Sequence, residues 1–421
     1  MDRKSCRIAA SLLILCVVFS GCAGMPPGET PQCSGGWNLQ QGPEVSGTAP
    51  NSIMASDSGE ESQAHTLEEY YFLEEGSGFA YRGLSEAEKL WYRDMEQILG
   101  SYSTEVELSE DALAAGLNET HIDKIFQCVL NDHPELFYVE GYSYTKYTRY
   151  GQDDDILSVE FSGRYSIDPE TARQRKRQIH QAVDEILAGI DSNAGQYEKV
   201  KYVYDTLIRG TDYMLDSEDN QNIYSVFVNH LSVCQGYAKA TQYLLNRLGV
   251  ECALVLGTVE TGEGHAWNMV NVDGSYYYVD TTWGDASYQM GEDTAENKHA
   301  MPEINYDYLN VTTAELLRTH TLDQGNQMPL CVDTAANYYV REGALFDSYD
   351  REQMEALFQR TFMQDRSDVT IKCATRECYD EIFSILVEQR KIFDYLPGSG
   401  QSIAYTQNDA QRSLTFWVTN E

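Results

Sequence analysis

Apolar and small residues recur at Tyr237, Ala240, Thr241, Leu244, Leu245 and Leu248. That spacing is one face of a helix, and Gly249 directly behind it suits a C-cap. The pattern predicts a helix that begins at or near Cys234. Further on, Gly264 to Val272 and Ser275 to Trp283 alternate with the period of strands. Asp273-Gly274 between them is a type I′ turn signal. Such a turn pairs Val272 with Ser275, Met269 with Tyr278 and Trp267 with Asp280, so His265, Trp267 and Asp280 share a face. His265 and Asp280 are then diagonal neighbours roughly 7–8 Å apart at the backbone, a distance a carboxylate can bridge to an imidazole.

The same reading covers the rest of the chain. Ser85, with Glu88 three residues on, predicts a capping box opening a helix that runs to about Leu99. Further helices are expected over Thr120 to Asn131, Pro169 to Ile190 and Glu198 to Arg209. Leu136 to Thr148 and Ile156 to Tyr165 read as strands joined by an acidic turn over Gly151 to Asp155. Asn305 to Asn310 reads as a strand, and Thr312 as the N-cap of a short helix through Arg318. Beyond Met328, Tyr338 to Arg341, Val369 to Cys373, Ser402 to Thr406 and Ser413 to Val418 read as strands. Arg351 to Phe362 and Glu377 to Arg390 read as helices there. The expected class is α+β.

Arg3, Lys4 and Arg7 precede an apolar run, Ile8 to Phe19, too short for a comfortable membrane span. Phe19-Ser20-Gly21-Cys22 is similar to a bacterial lipobox, in which Cys22 carries the lipid; Phe replaces the usual Leu, and an ordinary secretory signal is the alternative. From Ala23 to about Gly78 the chain has no Lys or Arg and is rich in Pro, Gly, Ser and Glu, the composition of a disordered tether. The expected organisation is a leader over 1–22, a tether over 23–78, an N-terminal α+β region over 79–195, a catalytic domain over 196–325 and a small α+β domain over 326–421.

In the 421-residue sequence, 66 acidic residues against 30 Lys and Arg give a net charge of −36. That balance disfavours nucleic acid and anionic membrane as partners. It suits a monomeric, extracytoplasmic protein whose only membrane contact is the N-terminal lipid. With Cys6 and Cys16 in the leader and Cys22 lipidated, Cys33, Cys128, Cys234, Cys252, Cys331, Cys373 and Cys378 remain. This odd number leaves room for a free reactive thiol. Cys373 and Cys378 are placed to pair under oxidising conditions.

The chemistry gathers at Cys234. A helix N-terminus favours a thiolate through its dipole and free N–H groups. His265 supplies a base and Asp280 a group to orient it, which completes a nucleophile–base–orienter set. A buried structural cysteine is the ordinary alternative for a thiol standing alone. No Cys-x-x-Cys or His-x-x-x-His spacing supports zinc, and the acidic loop over Asp216 to Asn220 lacks the Gly and final Glu of a calcium loop. No metal and no cofactor is expected. Tyr224, Trp267 and Trp283 are candidates for the walls of a substrate cleft, with packing as the other role.

Cys234-Gln235-Gly236-Tyr237-Ala238, Gly264-His265-Ala266-Trp267-Asn268 and Tyr277-Tyr278-Val279-Asp280-Thr281-Thr282-Trp283 together resemble the motifs of the transglutaminase-like superfamily, in its bacterial surface branch, in order and close spacing. The resemblance covers roughly Tyr197 to Leu322. It implies a papain-like core, with the cysteine helix packed on an antiparallel sheet carrying His265 and Asp280. It also implies a Cys234 nucleophile, a His265 base, an Asp280 orienter and an oxyanion site of backbone N–H groups at the helix start. The family includes amide cross-linking enzymes, peptidases, deamidases and members without demonstrated activity. Cross-linking, deamidation and hydrolysis of protein or peptide substrates therefore all stay open. So do a cell-wall peptide protease and a catalytically silent scaffold.

Overall fold

The computed structural model describes residues 5–10, 78–149, 152–285, 302–323, 328–364, 366, 368–396 and 402–419. The lipobox Cys22 and Cys33 lie outside these residues. So do all but the last residue of the expected tether, and all but the last of the polar stretch Ala286 to Pro302, whose composition suits a flap over the site.

The first sheet contains β1 (Ser5–Ala10), β2 (Val106–Glu107), β3 (Val139–Arg149) and β4 (Gln152–Tyr165), in the order β1-β3-β4-β2. β1 falls in the stretch read as a leader and excluded from the fold; here it is an edge strand pairing Ser5 with Arg149. Ahead of β3 run α1 (Phe79–Arg82), α2 (Glu86–Ser101), α3 (Glu110–Ala114) and α4 (Ile122–Asp132). Ser85 and Glu88 form the expected capping box on α2. The apolar stripe of α4 meets the sheet, where the Phe126 ring lies 4.7 Å from Tyr142 and 6.4 Å from Phe161. His133 Nδ1 and Glu135 are 2.8 Å apart and buried beside this layer. The end of α4 is fastened to the next helix layer by Gln242 Nε2, which donates to Asn131 O at 2.8 Å.

α5 (Pro169–Leu187) begins with Asp168 accepting from the Glu170 and Thr171 N–H groups, and Pro169 opens the helix with its preset φ. α6 (Gln196–Gly210) follows, then the paired short strands β5 (Asp212–Tyr213) and β6 (Leu231–Ser232). Next come α7 (Cys234–Arg247), β7 (Cys252–Val259), β8 (Gly264–Val272), β9 (Ser275–Val279), α8 (Thr281–Gly284) and β10 (His320–Leu322). The second sheet has the order β10-β7-β8-β9, every pair antiparallel. α7 lies on one of its faces, held by Asn268 Nδ2 donating to Ala238 O at 2.9 Å. This mixed helix and strand architecture is the expected α+β, papain-like core.

The third sheet is β11 (Leu345–Phe346), β12 (Asp368–Cys373), β13 (Ser402–Asn408) and β14 (Ser413–Thr419), in the order β11-β12-β14-β13. It does not stand apart from the second sheet. Asp307 accepts from Tyr339 Oη at 3.0 Å, Lys372 Nζ at 3.3 Å, Asn408 Nδ2 at 3.0 Å and Ser413 Oγ at 2.5 Å. One continuous buried core runs from the helices over the first sheet to Ile371 and Leu414.

Several local readings are corrected. The strand expected to Trp283 ends at Val279, because the Asp280 carboxylate turns to accept the Trp283 N–H at 3.0 Å and caps α8. Asn305 likewise caps a short 3₁₀ turn, Tyr306–Tyr308, where a strand was expected. Asn337 caps a helical turn, Tyr338–Arg341, in place of another. In each case a short polar side chain satisfies free N–H groups that an extended chain would leave to a neighbouring strand. β4 begins at Gln152, inside the expected acidic turn, since Arg149 already pairs with Gln152. The helix expected to Arg390 ends at Phe383 and continues as a π-turn, Ser384–Glu388. Cys373 and Cys378 are free thiols in the structure.

Candidate active site

α7 begins at Cys234 because Val233 is extended (φ −116°, ψ 178°) and offers no side chain to cap the first N–H groups. The Gly236 N–H turns back to Val233 O at 2.9 Å, and the dipole of the first turn favours an anion at Cys234. Gly236 is required within the first turn. A Cβ there would lie 2.0 Å from Ser232 Oγ, and 3.1 and 3.2 Å from the carbonyls of Asn220 and Asn222. The turn that lifts the chain into the helix thus packs directly on the helix backbone.

β8 and β9 hold the register set by the Asp273-Gly274 turn, with Val272 opposite Ser275 and Met269 opposite Tyr278. Both turn residues have positive φ, 53° and 89°, as a type I′ turn demands. His265, one residue into β8, pairs with Gly257 of β7. Asp280 sits just past β9, its backbone N–H donating to Tyr308 O at 3.0 Å. The side chains meet: His265 Nε2 and Asp280 Oδ2 are 2.8 Å apart, and both residues are buried.

Cys234 is also buried. Burial opposes the charged imidazolium. The Asp280 carboxylate and its hydrogen bond outweigh that, together with a hydrogen bond and charge from Cys234, and the His265 pKa rises to about 10. Burial likewise penalises the Asp280 carboxylate, but the His265 and His320 imidazoles beside it hold its pKa below the usual carboxylate range. The site therefore holds Cys234 beside an imidazole that keeps its proton near neutral pH and an ionised carboxylate. That set can generate and stabilise a thiolate nucleophile.

The expected wall residues take different places. Trp267 is fully buried and stacks on His265 at 5.9 Å and 24°, so it supports the imidazole from within. Trp283 is half-buried with its ring 6.2 Å from His265. Tyr224 is drawn away to α5, with the Arg175 guanidinium 4.4 Å over its ring and its hydroxyl 3.2 Å from Gln178 Oε1.

One residue of the site was missed in the sequence. His320 Nε2 is 3.0 Å from the same Asp280 Oδ2 that meets His265. A lone histidine between two threonines reads as strand, and no local spacing ties it to a carboxylate forty residues earlier. Among the described residues His265, Asp280 and His320 form the one cluster whose donor atoms, all within 4.8 Å of one another, could surround a metal ion. The donor types suit one, but both imidazole nitrogens are hydrogen-bonded to a single carboxylate oxygen. The geometry is that of a proton-sharing network.

Residues 181–281 match the transglutaminase-like superfamily, so the chain contains a transglutaminase-like domain. That superfamily includes transglutaminases and proteases as well as inactive members. Among solved structures the chain is similar to a TGase (14% identity over 39% of this chain and 50% of that one, TM-score 0.25). It is also similar to a provisional protease from Parabacteroides distasonis (14%, 34% and 36%, TM-score 0.20). A third similar structure is that of menin with its binding site for Mixed Lineage Leukemia protein (15%, 56% and 49%, TM-score 0.23). The chain spans half or less of each of these structures, and at such scores none of them carries an argument about activity. No curated protein matches.

Proposed function

We propose that this protein is a cell-surface, cysteine-dependent acyl-transfer enzyme that acts on amide bonds of proteins or peptides. The observation that carries the proposal is the buried His265–Asp280 pair, 2.8 Å apart, with Cys234 near enough to His265 to help raise its pKa.

The thiol proton rests on His265 as an imidazolium, and the Cys234 thiolate beside it attacks the amide carbonyl carbon. The carbonyl oxygen becomes an oxyanion, which the free N–H groups at the start of α7 stabilise. The C–N bond then breaks, the departing nitrogen takes the His265 proton, and a thioester remains on Cys234. Water or an amine, deprotonated by the now neutral His265, attacks the thioester, and the thiolate leaves. Water gives hydrolysis or deamidation, and an amine gives a cross-link. Asp280 holds the imidazole in position and balances its charge through both stages.

The test is a screen of the full chain against peptide, carboxamide and amine substrates, with Cys234→Ala as the control. Turnover lost in Cys234→Ala supports the reading, and the product distinguishes transfer from hydrolysis. If no substrate turns over and Cys234 resists alkylation in folded protein, a transglutaminase-like scaffold is the better description.

A further inference from the structure

His320 takes part in none of the steps above, yet it is buried at the centre of the site. It stands on β10, which adds an outer strand to the second sheet by pairing with β7, His320 opposite Val259. Its ring is enclosed by Trp283 at 4.8 Å, Trp267 at 5.0 Å and Tyr308 at 5.6 Å. Its Nδ1 lies 2.9 Å from Thr319 Oγ1 and its Nε2 lies 3.0 Å from Asp280 Oδ2.

An ionised carboxylate only accepts hydrogen bonds. Both imidazole nitrogens that face Oδ2 therefore carry protons, His265 from one side and His320 from the other. Oδ1 is also taken, by the Trp283 N–H at 3.0 Å. The carboxylate thus has three donors. Of these donors, His265 is the one whose pKa Cys234 helps to raise.

We propose that His320 is a positioning residue, which fixes the Asp280 carboxylate and, by sharing Oδ2, limits how strongly Asp280 draws on His265. This rests on the acyl-transfer reading for its purpose, though not for its geometry. Without the His320 donor, Oδ2 has more electron density for His265, and the carboxylate is free to turn about its Cβ–Cγ bond. The imidazolium is then held more tightly and gives up its proton less readily to a leaving amine. The other ionisable groups around the pair are Cys234 from α7, Tyr204 from α6 and Tyr308. None of these donates to Oδ2: among the described residues the carboxylate's partners are the two histidines and the Trp283 amide.

The experiment follows the His265 imidazole by NMR of the histidine-labelled full chain against pH. Three chains are compared: wild type, His320→Phe and His320→Gln. Phe keeps the ring volume without a donor, whereas the Gln amide nitrogen falls near the place of Nε2. Removing one hydrogen bond to the carboxylate raises the His265 midpoint by about half a unit or more in His320→Phe. His320→Gln returns it towards wild type. A midpoint that stays put in His320→Phe, or that moves equally in both variants, overturns the proposal. If His320→Phe does not fold, His320→Asn takes its place, because its amide reaches only towards Nδ1. Cys234 alkylation is followed in the same samples. A His265 midpoint that moves in a protein whose Cys234 never labels upholds the role of His320 while removing the acyl-transfer reading.

Discussion

Asp307 and Lys372 form a buried pair: Oδ1 of the carboxylate lies 3.3 Å from the ammonium Nζ, with the two side chains 3% and 2% exposed. The pair joins the third sheet to the segment whose Tyr308 carbonyl holds the Asp280 backbone N–H. Removing the carboxylate leaves a buried cation with Gln411 Oε1 at 3.3 Å and the Tyr339 ring at 5.4 Å, and no opposite charge beside it among the described residues. Asp307→Ala is therefore expected to cost about 3–5 kcal/mol in urea unfolding. The double change Asp307→Asn, Lys372→Met removes both charges and keeps polar partners for Tyr339 and Ser413, so it should cost less. A double variant as unstable as Asp307→Ala would show that the charge pair is not what holds the segment.

Alkylation of Cys234 tests the nucleophile directly. Iodoacetamide is expected to label Cys234 below pH 8 faster than Cys252, Cys373 and Cys331, whose thiols burial pushes up. The rate should fall in His265→Ala, and Asp280→Asn should give a partial loss, since an imidazole with its orienter altered is still present. Mass mapping of the labelled peptide decides it. Labelling of Cys378 in preference to Cys234 in folded protein would overturn the assignment.

The His265–Asp280 pair carries a pH signature in stability. A raised histidine pKa stabilises the fold fully below the unfolded value, about 6.5. That contribution is lost as pH rises towards the folded value of about 10. A lowered carboxylate pKa stabilises above the unfolded value, about 4, and the gain is lost as pH falls through the folded one. The stability difference between wild type and Asp280→Asn should therefore be greatest between about pH 4 and 6.5 and shrink on both sides. A difference that is flat from pH 5 to 10 would contradict the pairing.

Gly236→Ala sets two effects against each other. Alanine is the better helix former by about 1 kcal/mol. The new methyl would, however, sit 2.0 Å from Ser232 Oγ, which is itself bonded to Ser225 Oγ at 2.8 Å and to Asn220 O at 2.8 Å. Overpacking of that kind costs about 1–3 kcal/mol, so a net loss of stability and slower Cys234 labelling are expected. An unchanged melting temperature with unchanged labelling would mean that the turn ahead of α7 yields freely.

The lipobox reading makes Cys22 the expected anchor. Cys22→Ala is expected to move the protein from the membrane fraction to the soluble fraction, since a thioether-linked lipid is the membrane contact proposed for this chain. A leader removed ahead of Cys22 also takes β1 away from β3. Mature protein whose first residue precedes Ser5 would contradict both expectations.

What the amino-acid order determined alone was local. The capping boxes at Ser85 and Thr312 are closed by contacts three residues apart. The Asp273-Gly274 turn fixes a two-strand register that carries His265 to Asp280, and the stripe from Tyr237 to Leu248 with Gly249 behind it bounds the cysteine helix. Short runs such as Tyr306–Tyr308 and Tyr338–Arg341 are apolar in either conformation. Their period is too brief to separate strand from helical turn, and packing decided them: the two tyrosine rings, Tyr306 and Tyr338, stack at 3.8 Å. His320 belongs wholly to the tertiary structure. Its place beside Asp280 depends on β10 joining the edge of β7 across some sixty residues, and on Gly257 having no Cβ, which would lie 2.1 Å from Thr321 O. A strand's choice of partner is set by the surface it completes, and no run of neighbouring residues contains that surface.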